Sequence, residues 1–92
     1  MMSQLPIDSD VFRKEMTDIE ALRVGLIAEL DAINLYEQLS ASARDEKIKK
    51  LFLEIAREEK THVGEFEAML LALDMEQGIE MQKGKKEAEE LA

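Results

Sequence analysis

Apolar residues recur at intervals of three and four along most of the chain, and nowhere do they alternate with polar ones as a half-buried strand requires. Leu22, Leu26, Ile33, Leu35 and Tyr36 mark one run; Phe52, Ile55, Val63, Phe66, Leu70 and Leu73 mark a second. Between them stand mainly Ala, Leu, Glu, Lys, Met and Gln, which form helices readily. A single proline, at position 6, and glycines at 25, 64, 78 and 84 leave long stretches without a breaker. The pattern predicts an irregular lead-in over 1–9, two long helices over 10–74, and a short third helix with a charged tail over 75–92. Asp8, Ser9 or Asp10 is the expected N-cap of the first helix, which runs to about Ala43. Ser40–Asp45 has the composition of a turn, and the second helix then runs from about Asp45 to Leu73. The third is expected to be interrupted at Gly78 and Gly84 and to fray at its end. Gly25 and Gly64, inside the long helices, are expected at close helix contacts. The fold class is all-α: an antiparallel two-helix hairpin plus a short C-terminal helix.

Two helices cannot enclose a core. Each arm carries an apolar face too broad to hide against one neighbour, so part of it needs another chain. An antiparallel pair of hairpins, closing a four-helix bundle, is the simplest completion, and a homodimer or larger assembly is expected. A length of 92 residues agrees, since so short a chain buries little of its own surface.

Composition narrows the chemistry. There is no cysteine, which excludes disulfides, zinc ribbons, iron–sulfur clusters and thiol catalysis. Twelve Lys and Arg against 21 Asp and Glu give a net charge of −9, unsuited to nucleic acid or an anionic membrane and suited to cations. No apolar run is long enough to span a bilayer, and Met1–Pro6 lack the layout of a signal peptide, so a cytoplasmic location is expected.

Most of the acidic residues belong to solvated helix faces. Glu29 does not. Its helical neighbours are Leu22, Gly25, Leu26, Ala32, Ile33 and Tyr36, which places a carboxylate inside an apolar stripe. On the second arm Glu59 and His62 interrupt a stripe of Phe52, Ile55, Ala56, Val63, Phe66 and Met69. The midpoint of 29 and 59 is (29 + 59)/2 = 44, inside the predicted turn. Chain reversal there puts Glu29 and Glu59 at one height, each about 22 Å from the turn at a rise of ~1.5 Å per residue. Carboxylates gathered on apolar faces repel unless protonated or bound to a cation. Bundles that hold two metal ions draw a lone Glu from each of two helices and Glu-x-x-His from each of the other two. This chain has one copy of each, Glu29 and Glu59-Lys60-Thr61-His62, so two chains about a twofold axis would complete the set. Glu-x-x-His by itself arises by chance in a Glu-rich helix; the apolar flanks, the matched height and the template together carry the reading. Tyr36, on the face of Glu29, is either a hydrogen-bond partner of a ligand carboxylate or a core aromatic.

Ala28-Glu29-Leu30-Asp31-Ala32-Ile33-Asn34-Leu35-Tyr36-Glu37, followed by Ala56-Arg57-Glu58-Glu59-Lys60-Thr61-His62, resembles the encapsulated ferritin family. The likeness covers roughly residues 15 to 75, including the spacing between the motifs. It implies a half-ferritin: a hairpin that dimerises into a ferritin-like four-helix bundle, builds a di-iron ferroxidase centre on the dimer twofold, and assembles into a decamer, a ring of five dimers. By position, Glu29, Glu59 and His62 match the catalytic iron ligands, with two iron ions per dimer, and Tyr36 matches a nearby tyrosine. Asp31 keeps one of two acidic positions that form a metal entrance in some members; Ala28 occupies the other. The resemblance implies Fe(II) oxidation by O₂ for iron storage inside an encapsulin nanocompartment in the cytoplasm, with the encapsulin shell protein as partner. Cargo members end in a short, partly apolar targeting tail, which Lys85–Ala92 does not resemble; truncation, natural fusion to a shell protein and another means of targeting all stay open. Two other functions stand beside ferroxidase: a di-metal oxidase acting on an organic substrate, and a metal-free helical oligomerisation module.

Overall fold

The computed structural model describes residues 16–91, and among these every regular element is a helix: α1 (Asp18–Ser42), α2 (Glu46–Leu73) and α3 (Met75–Glu89). The hairpin and its short third helix are as the apolar periodicity implies. The expected N-caps Asp8, Ser9 and Asp10, and the lead-in over 1–9, lie outside the described residues.

The first helix does not run unbroken from residue 10. Met16 and Thr17 are non-helical, and α1 starts at Asp18. Thr17 closes a capping box: its hydroxyl accepts from the Glu20 N–H at 3.1 Å while the Glu20 carboxylate accepts from the Thr17 N–H. Two orphan donors are thereby satisfied at Thr17, and Asp18 and Glu20 face the positive end of the helix dipole.

The reversal between α1 and α2 is tighter than the Ser40–Asp45 segment. Ser40 is still helical and buried, and its Oγ donates to the Lys49 carbonyl at 3.0 Å, tying the two helix ends together. Asp45 caps α2, its Oδ1 accepting from Lys47 N at 2.8 Å and Ile48 N at 3.2 Å. Tyr36 and Phe52, each eight positions from Arg44, stack at a centroid distance of 6.1 Å, which fixes the antiparallel register.

Asp74 ends α2 and caps α3, accepting from Gln77 N at 3.0 Å through Oδ1. Its other oxygen receives Arg23 Nη2 from α1 at 2.7 Å, so one carboxylate joins all three helices. The third helix is continuous through Gly78 and Gly84, contrary to the expected interruption. Each costs about 1 kcal/mol relative to Ala inside a helix, which two glycines among good helix formers can carry.

Little is enclosed. The buried apolar residues are Ala32, Ala56 and Leu70, and among the described residues no large side chain is fully buried. Of the two glycines expected at close contacts, Gly25 is at one, against Phe66; Gly64 has nothing within 4 Å of where its Cβ would stand.

Candidate metal centre

The hairpin register carries Glu29 on α1 to the level of Glu59 and His62 on α2. His62 Nδ1 lies 3.5 Å from Glu29 Oε1 and 3.5 Å from Glu59 Oε2. One donor atom from each of the three residues falls within 4.8 Å of the other two, and among the described residues no other three His, Asp or Glu side chains come together in this way. Both carboxylates are mostly covered, at 17% and 18% side-chain exposure, whereas His62 is 43% exposed.

The donor set suits a metal ion. Donors bound to a first-row ion sit ~2.1 Å from it, so two neighbouring donors stand roughly 3–4 Å apart; the two N···O separations of 3.5 Å match. Carboxylate and imidazole are ligand types that iron accepts. The remaining oxygen of Glu29, Oε2, is buried and has no hydrogen-bond partner. A buried acceptor left so costs about 1–3 kcal/mol, and a cation would offset that cost. Nδ1 is turned to both carboxylates; to serve as a ligand atom it would present its lone pair to a cation held between them, with the ring proton on Nε2.

The other two sequence candidates do not enter the cluster. Tyr36 is half-buried and spends its ring on Phe52; among the described residues its hydroxyl has no hydrogen bond to a ligand carboxylate. Asp31 is half-buried, two positions past Glu29 and so on another side of α1. The contribution of Phe66, whose ring sits over Gly25 one turn from the cluster, was legible only as an apolar position.

One face around the centre is unfilled. Ile48, Leu51, Met69 and Leu73 stand 14, 11, 7 and 11 positions from His62, sums of threes and fours that put them on its side of α2. All four are about half exposed or more, from 46% to 63%. Three donors thus come from one chain, one of them nearly half in solvent beside a row of exposed apolar residues.

The chain is similar to known proteins. A family model described as Rubrerythrin matches residues 20–92. The "Ferritin-like-encapsulin shell fusion protein" of Pyrococcus furiosus is 56% identical over 73 residues, which is 79% of this chain and 21% of that protein. The "Encapsulin nanocompartment cargo protein EncB" of Myxococcus xanthus is 36% identical over 69 residues, 75% of this chain and 40% of that protein. The chain thus spans less than half the length of these two curated relatives. A crystal structure of the encapsulated ferritin domain from Pyrococcus furiosus superposes with a TM-score of 0.81 at 46% identity, covering 97% of this chain and 96% of that one.

Proposed function

This chain belongs to the rubrerythrin family, as an encapsulated ferritin domain, and from that premise we propose that it is a ferroxidase that takes Fe(II) as substrate and dioxygen as electron acceptor. The observation that carries the proposal is the convergence of Glu29, Glu59 and His62 at one level of the hairpin, with Glu29 Oε2 buried and unpartnered.

The site is completed by a second copy. Two chains about a twofold axis bring four carboxylates and two imidazoles, the set that holds a pair of metal ions in a four-helix bundle. The exposed row Ile48, Leu51, Met69 and Leu73 beside His62 supplies the apolar surface for that contact. Within the dimer Glu29 and Glu59 hold Fe(II) and offset the added charge as each ion surrenders one electron. Carboxylates serve both oxidation states because they shift between terminal and bridging modes. His62 contributes Nδ1, leaving the Nε2 proton for an acceptor that fixes the ring. The acidic surface, net −9, draws cations inward. Tyr36 and Asp31 are assigned outer roles, Tyr36 in holding the packing beside Glu29 and Asp31 at a metal entrance. The identity of the relatives supports a partner as well: the domain serves an encapsulin shell, within a nanocompartment, and further assembly of dimers into a ring belongs to the same reading. No helix among the described residues is long and apolar enough to cross a membrane.

A second reading has one observation in its favour. Leu22, Glu65, Phe66 and Met69 line a hollow of about 230 Å³ a turn or more from His62, where an organic substrate of a di-metal oxidase would lie. Met69, one of its lining residues, also belongs to the exposed row that the partner chain covers in the first reading.

Anaerobic loading with Fe(II) followed by exposure to O₂, read by oxygen electrode and by absorbance of Fe(III), tests the assignment. Oxygen uptake that depends on Fe(II) and needs no organic substrate is expected. Purified protein that binds no metal and oxidises no Fe(II) would leave only the helical oligomerisation module.

A further inference from the structure

The geometry points to Phe66 as the positioning residue of the metal centre, seated in the gap that Gly25 leaves in α1. The inference rests on the metal reading of the cluster and adds the element that fixes its dimensions. Gly25 lies one turn before Glu29 on α1, and Phe66 one turn after His62 on α2, so their contact is the step next to the ligands. A Cβ at Gly25 would stand 2.9 Å from both Cδ1 and Cζ of Phe66 and closer still to Cε1. None of the other glycines is filled in this way: Gly64 and Gly84 face open space, and Gly78 would meet Leu71 at 3.8 Å, an ordinary contact. Inside a helix a glycine costs about 1 kcal/mol relative to alanine. At Gly25 that cost admits an aromatic ring onto the α1 backbone and sets the separation of the helices beside Glu29 and His62.

The magnitude decides the consequence. Ordinary contact begins at 3.4 Å, so a Cβ at position 25 forces the ring or the helix to give by at least 3.4 − 2.9 = 0.5 Å. Metal–ligand distances tolerate about 0.2 Å. Carried into α2 rather than taken up by rotation of the ring, a displacement of that size exceeds what the ligand set can absorb, although neither Gly25 nor Phe66 touches the ion.

The full chain carries one histidine, so its ring signals report His62 alone. We would record ¹H–¹⁵N ring spectra and titrate Zn(II) into wild type, Gly25→Ala, Phe66→Leu, the double variant and Gly64→Ala. Gly25→Ala should keep its helix content, move the cation-free His62 signals and weaken Zn(II) binding about tenfold or more, the scale on which groups supporting metal ligands act. Gly64→Ala should change neither. In the Phe66→Leu background, where the obstructing ring atoms are gone, adding Gly25→Ala should leave both readouts unmoved. Unshifted signals and unchanged affinity in Gly25→Ala would overturn the inference, because the ring would then have swung into the neighbouring hollow without moving α2. So would a Gly25→Ala effect of full size in the Phe66→Leu background. If Zn(II) leaves the wild-type His62 signals untouched, the ferroxidase reading fails, and the cation-free spectra still decide whether Phe66 and Gly25 position the ring.

Discussion

Replacing Glu29 by methionine should stabilise the metal-free protein and abolish its response to cations. The Glu29 carboxylate is mostly covered and its Oε2 is buried without a partner, and an unsatisfied buried acceptor costs about 1–3 kcal/mol. Methionine is of similar length, unbranched and a strong helix former, so Glu29→Met removes that cost while filling the same space. In a chain of this size a gain of 1 kcal/mol raises Tm by roughly 4–8 °C, and the variant should melt at least about 4 °C above wild type in chelator. Addition of cation reverses the order. A ligand at 100 times its Kd stabilises the binding state by about 2.7 kcal/mol, enough to lift wild type by roughly 10–20 °C on the same scale and to leave Glu29→Met where it was.

The assay is thermal melting by circular dichroism at one fixed protein concentration, because the midpoint of an assembling chain depends on concentration. Chelator, Zn(II) and anaerobic Fe(II) are the conditions. A Glu29→Met protein that melts below wild type in chelator would show that the carboxylate is satisfied without metal, and a wild-type midpoint indifferent to both cations would refute the site itself.

Three further outcomes follow from the same geometry. His62→Ala should abolish rapid Fe(II) oxidation with helix content intact, since no backbone contact depends on the ring; wild-type oxidation rates under aerobic assay would remove His62 from the ligand set. Leu51→Glu places a charge in the exposed row beside His62 and should shift the assembly to smaller species by light scattering, while metal-stripped wild type shifts the same way and recovers with Zn(II); an unchanged mass in both cases would mean that this face is not the contact. Thr17→Ala breaks the capping box of α1 and should cost about 1 kcal/mol, seen as a fall in Tm of roughly 4–8 °C with no change in cation affinity.

The hairpin and its register were legible because they rest on local rules. Apolar spacing names the helices, and a single turn-like segment forces residues equidistant from Arg44 to meet, as Tyr36 and Phe52 do. The cluster was legible for the same reason: polar residues on apolar faces, at one height, had to be neighbours. The start of α1 was missed although Thr17-Asp18-Ile19-Glu20 spells a capping box, because unbroken helix formers around it suggested continuity. Long-range polar contacts leave no periodic trace. Nothing in the spacing joins Arg23 to Asp74, and although the turn brings Ser40 opposite Lys49, it does not name the hydroxyl-to-carbonyl bond between them. The glycines divide on what stands opposite them, which depends on the partner helix: Gly25 meets Phe66 and Gly64 meets nothing.

The distribution of exposure around the centre links its chemistry to assembly. Glu29 and Glu59 are covered by their own hairpin, whereas His62 and the apolar row from Ile48 to Leu73 are not. A chain with so little enclosed core would gain stability by covering that row, and in the proposed dimer the same covering would bring the second half of the ligands. Without a cation, four carboxylates would meet in a low-dielectric seam and oppose the contact. With one, the same carboxylates draw the chains together. Substitutions in the apolar row and in the ligand set therefore act on one equilibrium, and their effects on cation affinity should not add, because each removes part of what the other requires.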